Sequence, residues 1–157
     1  MTRSAELYFA YGSNLRSSRM FERVPSAANL GAARLSGHGF RMNKRGRDGS
    51  AKANLVISPE EHVWGAVYRI DSAHWPILDR FEGGYTRELV DAELAGSIAA
   101  AVTYRSERLV ERALAFDWYL GHIRAGAREH ALPGEWCAYL DALPAQETDA
   151  TESASST

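Results

Sequence analysis

The rhythm of apolar and polar positions changes along the chain. Early on, short apolar or alternating runs recur between polar breaks, and later apolar residues recur at steps of four and three. Leu7 to Tyr11 predicts a buried strand that breaks at Gly12-Ser13-Asn14, a turn opening a short helix from Asn14 to Phe21 that ends before Pro25. Gly31 to Met42 alternates and predicts a strand, followed by a polar glycine-bearing loop over Asn43 to Ser50. Ala53 to Ile57 and Val63 to Ile70 predict two strands joined by Ser58-Pro59-Glu60-Glu61. Asp71 or Ser72 can cap a helix running to Phe81, with Ile77, Leu78 and Phe81 on one face and Pro76 tolerable in its first turn. Arg87 to Leu94 and Ile98 to Arg105 predict paired strands around Ala95-Gly96-Ser97. Ser106 can cap a helix carrying Leu109, Ala113, Phe116, Leu120 and Ile123, and Trp136, Leu140 and Leu143 make a shorter helical stripe after Pro133-Gly134. From Ala145 the chain is rich in Ser, Thr, Ala and Glu without apolar anchors, so one folded domain over 1–144 and a disordered tail over 145–157 are expected. Strands early and helices late point to an α+β protein.

Composition narrows the class. A chain of 157 residues, 45% hydrophobic and 10% aromatic, suits one globular domain with a real core. A net charge of −2 argues against an obligate nucleic-acid partner. The single cysteine, Cys137, cannot close an intrachain disulfide and favours a reducing compartment. The first residues carry no apolar signal region, and no apolar run is long enough to cross a bilayer. A cytoplasmic protein without a membrane partner is expected.

Two segments carry chemistry. The turn at Gly12-Ser13-Asn14 leaves backbone N–H groups without partners, and such groups can hold a carboxylate or a developing oxyanion. The second segment is a helix that stops at Gly83-Gly84 with Glu82 at its end. A carboxylate there meets the negative end of the helix dipole, with Asp79 one turn away adding like charge, so both push its pKa upward. The plainer reading of Glu82 is a solvated carboxylate paired with Arg80 or Arg87, and of Asp79 a structural role.

Other signals fail. Gly46 to Lys52 lacks the Gly-Lys-Ser/Thr ending of a phosphate loop, and Met42 stands where a dinucleotide fingerprint starting at Gly37-His38-Gly39 needs a glycine. The five histidines show no metal-ligand spacing, Ser13 is not in a nucleophile elbow, and Cys137 reads as a small packed residue. No metal or cofactor is implied. The basic stretch Arg41, Lys44, Arg45, Arg47, Lys52 reads as a solvated loop, a phosphate or nucleic-acid contact, or a contact to an anionic part of a substrate.

Tyr11-Gly12-Ser13-Asn14-Leu15, then Val63-Trp64-Gly65-Ala66-Val67-Tyr68, then Leu78 to Tyr85, in that order, resemble the γ-glutamylcyclotransferase superfamily, over about Leu7 to Leu143. The resemblance implies a small mixed β-barrel with flanking helices and the site at one mouth. It implies an enzyme that cyclises a small-molecule γ-glutamyl amide to 5-oxoproline and releases an amino acid or amine. Glu82 would be general base and then general acid. Tyr11, Gly12, Ser13, Asn14 and Leu15 would bind the γ-glutamyl group, with Tyr85, Tyr104 and Tyr119 at the substrate. Asn14-Leu15 leans away from the glutathione-degrading branch. The rival reading is a non-catalytic AIG2-like binding module for an amino-acid-like ligand or a protein partner.

Overall fold

The computed structural model describes residues 5–147. Five strands close a barrel in the order β1-β3-β2-β4-β5. They are β1 (Ala5–Ala10), β2 (Ala28–Arg45), β3 (Ala51–Asp71), β4 (Thr86–Leu94) and β5 (Ser97–Arg105). Neighbours are antiparallel except at the closing seam, where β1 meets β5 in parallel at Tyr8 and Val102. This is the α+β barrel with flanking helices that the resemblance implies. The helices are α1 (Ser17–Arg23), α2 (Trp75–Phe81), α3 (Asp117–Glu129) and α4 (Gly134–Asp141).

Strand and helix predictions hold apart from shifted ends, with β2 running on through Arg45 into the expected loop and α1 starting at Ser17 rather than Asn14, and three larger corrections. First, the stretches around Ser58-Pro59-Glu60-Glu61 form one continuous strand. Ser36 pairs His62 and His38 pairs Ile57, so residues 58–61 bulge outward opposite Gly37, whose φ is +78°. A bulge absorbs the missing N–H of Pro59 without ending the ladder.

Second, the helix assigned from Ser106 begins only at Asp117. Residues 106–114 run extended along the open ends of β2 and β3: Arg45 N–H donates to Arg108 C=O, Val110 N–H to Asn43 C=O and Ala51 N–H to Leu114 C=O. Long-range pairing there satisfies backbone groups that would otherwise be orphaned, and it outweighs the apolar spacing of Leu109 and Ala113. Ser106 instead donates its hydroxyl to Gly84 C=O and accepts from Arg108 N–H.

Third, a short strand β6 (Ala115–Phe116) pairs in parallel with β7 (Ala145–Gln146), past the expected domain end at residue 144. The rest of the expected tail, residues 148–157, lies outside the described residues. The Asp71 cap forms, with its carboxylate accepting from Ala73 N–H, and Pro76 falls in the first turn of α2. At the β4–β5 hairpin Ala95 and Gly96 both have positive φ, the backbone a tight two-residue turn requires.

The barrel positions the first loop by close approach. The strand β1 leaves the barrel at Tyr11, and residues Ser13–Leu15 form a single 3-10 turn. Helix α3 lies across that turn: a Cβ at Gly126 would come 2.5 Å from the Leu15 carbonyl carbon and 2.6 Å from Arg16 N. His130 Nε2 bonds the Leu15 carbonyl at 2.8 Å, and Glu129 accepts from Ser17 N–H at 3.0 Å.

Candidate active site

The first loop and the end of α2 meet at the mouth of the barrel. A small cleft is lined by Tyr8, Tyr11, Gly12, Ser13, Asn14, Ala53, Glu82, Tyr85, Tyr104 and Tyr119. Of the residues expected from the sequence, Tyr11, Gly12, Ser13, Asn14, Glu82, Tyr85, Tyr104 and Tyr119 share this one cleft. Leu15 is fully buried under the loop and anchors it through its carbonyl rather than lining the cleft.

Glu82 follows the last residue of α2 as its C-cap, with its N–H on the Leu78 and Asp79 carbonyls. The backbone then turns through Gly84 at φ +85°. The side chain points back to the loop, where Asn14 Nδ2 donates to Glu82 Oε1 at 3.0 Å and to the Tyr8 hydroxyl at 3.1 Å. Burial raises the Glu82 pKa above the ordinary carboxylate range. The positive charges of Arg23, Lys44 and Arg19 and a hydrogen bond with Tyr8 pull in the other direction. The upward direction is the one expected from sequence, but the cause is desolvation. Asp79 is engaged elsewhere, accepting from the Tyr104 hydroxyl at 2.6 Å and pairing with Arg87 at 3.3 Å.

The tyrosines differ in what their hydroxyls are free to do. Tyr85 donates to Ala53 C=O at 2.6 Å, Tyr104 to Asp79, and Tyr11 to Tyr104 C=O at 2.6 Å. Tyr119 accepts from Ala53 N–H at 2.9 Å, so its own hydroxyl hydrogen is left to point into the cleft. Each hydroxyl is held neutral by burial, with Tyr119 above its ordinary value and Tyr85 well above. Gly12 borders Tyr119 and Ala53: a Cβ there would sit 3.3 Å from Ala53 Cβ and 3.6 Å from the Tyr119 hydroxyl. The open face of Gly12 therefore belongs to the cleft.

Sequence reasoning missed Tyr8, Ala53 and Arg23, and named Lys44 only as part of a basic stretch. Tyr8 is flagged only weakly, by strand alternation beside the glycine turn. Ala53 becomes part of the site because β3 carries both of its backbone groups between two tyrosines. Arg23 is buried in α1 and donates to Asn14 Oδ1 at 3.1 Å. Lys44, at the end of β2, donates to Gly83 C=O at 2.7 Å. Asn54 is structural: it donates to Asn43 Oδ1 and to the Ser106 C=O and accepts from the Ser106 N–H.

A closed small barrel thus sets an enclosed carboxyl facing a glycine-bearing backbone turn in one cleft. Comparisons with known proteins agree. Residues 8–139 match the model of the family described as gamma-glutamyl cyclotransferase, AIG2-like. A mouse protein named gamma-glutamylcyclotransferase is 34% identical over 152 residues, covering 90% of this chain and 80% of its own length. The human protein of that name is 32% identical over 148 residues, covering 87% and 78%. A solved structure named gamma-glutamyl cyclotransferase superposes with a TM-score of 0.87 at 29% identity, covering 96% of this chain and 94% of that one. The chain belongs to the γ-glutamyl cyclotransferase, AIG2-like family. It is an enzyme of the γ-glutamylcyclotransferase type.

Proposed function

We propose that this enzyme closes a γ-glutamyl amide to 5-oxoproline by a single-carboxyl proton shuttle at Glu82. The substrate brings its own nucleophile: its α-amine attacks the side-chain amide carbonyl, forms a five-membered lactam and expels the acceptor amine. Holding the substrate in that folded shape supplies roughly 7–11 kcal/mol. Two protons must move from the attacking nitrogen to the leaving one. Glu82, ionised, takes the first from the α-ammonium, which frees the lone pair for attack. The new C–N bond forms with negative charge on the tetrahedral oxygen and positive charge on the ring nitrogen. Glu82 gives its proton to the departing nitrogen as the old C–N bond breaks, and, ionised again, takes the second proton from the ring nitrogen and passes it to the released amine. A group that must both accept and donate serves best with a pKa raised toward the working pH, and burial of Glu82 acts in that direction.

The backbone of Gly12 to Leu15, with Tyr11 beside it, holds the γ-glutamyl group. The first N–H groups of a 3-10 turn have no partner within the turn, and they offer donors to an anionic ligand group. Tyr119 contributes the one uncommitted hydroxyl hydrogen of the three substrate-side tyrosines, while Tyr85 and Tyr104 shape the cleft and accept through their lone pairs. The observation that carries this reading is the 3.0 Å bond from the loop residue Asn14 to Glu82. A cytoplasmic setting, suggested by the lone cysteine, goes with this chemistry.

The test is a panel of γ-glutamyl amino acids, amines and isopeptides assayed for both products. The expected result is equimolar release of 5-oxoproline and acceptor amine from at least one member. Ligand binding across the panel with no 5-oxoproline from any member contradicts the proposal and favours a binding module.

A further inference from the structure

The acceptor half of the substrate has no place in the account so far, and of the basic stretch found in the sequence only Arg41, paired with Glu61, and Lys52, paired with Asp48, form ion pairs among the described residues. The two meet at Gly83-Gly84, immediately after Glu82. Lys44 reaches this segment from β2: its Nζ donates to Gly83 C=O at 2.7 Å and lies 4.8 Å from the centre of the Tyr85 ring. Arg47 comes from the β2–β3 turn, its Nη2 only 2.9 Å from where a Gly83 Cβ would stand. Arg108 comes from the extended segment after β5, its Cδ 3.6 Å from where a Gly84 Cβ would stand. A side chain at Gly83 would crowd the Arg47 guanidinium and one at Gly84 would crowd Lys44, so the glycine pair leaves room for these cations beside Glu82.

Lys44 is almost fully buried, whereas Arg47 and Arg108 are exposed at the rim. Neither guanidinium has an ion-pair or hydrogen-bond partner among the described residues. Asp48, the acidic group of this loop, pairs with Lys52 at 3.5 Å and accepts from the Ser50 backbone and hydroxyl. The protein as a whole is slightly negative, so three cations gathered about Glu82 and Asp48, the carboxylates whose charge Lys44 feels, leave a local positive excess rather than a basic surface.

Geometry assigns the field an occupant. The leaving nitrogen must reach Glu82 to take its proton, and the γ-glutamyl side of that nitrogen lies toward Gly12 to Leu15. The acceptor side therefore extends the other way, past Gly83-Gly84. In a γ-glutamyl amino acid the acceptor carboxylate sits on the carbon next to that nitrogen, and an acidic side chain places a second carboxylate a few bonds further out. Resting on the cyclotransferase reading, we infer that Lys44, Arg47 and Arg108 form an acceptor subsite selecting γ-glutamyl amides whose leaving amine carries carboxylates, an acidic amino acid above all.

The experiment uses three substrates of increasing acceptor charge: γ-glutamyl-ethylamide, γ-glutamyl-alanine and γ-glutamyl-glutamate. For the intact enzyme, kcat/KM is expected to rise about tenfold for each added carboxylate, as charge-assisted hydrogen bonds allow, and the spread should shrink with added salt. In R47Q/R108Q, two exposed positions whose replacement leaves the core untouched, the glutamate-to-ethylamide ratio should fall toward one. The same three compounds are also titrated against E82Q, which needs no turnover. Equal kcat/KM across the series, or a ratio that survives R47Q/R108Q, overturns the subsite while leaving the cyclotransferase standing. Charge-graded binding to E82Q that R47Q/R108Q abolishes, without 5-oxoproline from any substrate, supports the subsite and removes the cyclotransferase reading.

Discussion

The side-chain amide of Asn14 is held from both ends: Arg23 donates to its Oδ1 at 3.1 Å, and its Nδ2 donates to Glu82 Oε1 at 3.0 Å. The arginine fixes which way the amide faces, because an amide turned over would set its NH₂ against a guanidinium. Asn14 is thus both part of the binding turn and the group that aims the carboxyl. Asn14→Ala removes its hydrogen bonds with Arg23, Tyr8 and Glu82; loss of the bond that aims the carboxyl, worth about 1.5–3 kcal/mol, should lower kcat/KM about 10–100-fold. The change should appear mainly in kcat. Steady-state kinetics beside a circular dichroism spectrum that matches the parent checks it.

The raised Glu82 pKa makes stability depend on pH in a stated direction. In the unfolded chain a glutamate titrates near 4.3, and burial lifts the folded value above that. Between the two values the unfolded state loses its proton first, so folding stability contributed by the protonated side chain is lost as pH rises through that window. Glu82→Gln cannot ionise and escapes this loss. Its melting temperature relative to the parent should therefore climb from pH 4 upward and level off above the folded pKa. A gap that is constant with pH counts against an enclosed, upshifted carboxyl. In the parent, the acidic limb of the kcat/KM profile should also sit above the ordinary carboxylate range.

Ala53 lies between two tyrosines of opposite polarity, its N–H donating to Tyr119 and its C=O accepting from Tyr85. Only Tyr119 has a hydroxyl hydrogen left for a ligand. Tyr119→Phe should therefore lower kcat/KM by about tenfold or more, the cost of one lost donor to developing charge. Tyr85→Phe, which loses a bond internal to the protein, should cost less activity per unit of lost stability. Paired kinetics and thermal denaturation of the two variants separate these effects.

Gly126 tests the support beneath the loop. Its missing Cβ is what lets α3 lie against the Leu15–Arg16 peptide, with contacts of 2.5 and 2.6 Å if a methyl were added. These are backbone atoms and cannot swing aside. Gly126→Ala should therefore cost about 1–3 kcal/mol through overpacking, although alanine is the better helix former by about 1 kcal/mol. Chemical denaturation gives the sign directly, and a stabilised variant would contradict the packing described.

Much of this was legible beforehand, for identifiable reasons. The strands β1, β4 and β5 announce themselves because each is bounded by turn residues and keeps one register. The strand β2 was legible over Gly31 to Met42, but β3 read as two strands, because the bulge at residues 58–61 opposite Gly37 breaks the alternation without breaking the pairing. The extended segment 106–114 hid behind a helical spacing, since its hydrogen-bond partners lie more than fifty residues back at Asn43 and Ala51. Within the site, Glu82 and the Gly12 turn were readable because each sits at a chain break with a chemical consequence. Tyr8, Ala53 and Arg23 were not, since only the folded barrel brings Tyr8 and Ala53 to the cleft and Arg23 to Asn14. The cause of the Glu82 shift was also out of reach. The sequence shows a neighbour such as Asp79 but not the enclosure that desolvates the carboxyl, nor the Arg87 and Tyr104 that occupy Asp79.

The most direct test is the turnover of Glu82→Gln on the substrate the parent enzyme processes best. The glutamine keeps the shape and can still bond Asn14, so the variant should fold, bind substrate and release no measurable 5-oxoproline. Turnover comparable to the parent would show that some other group moves the protons.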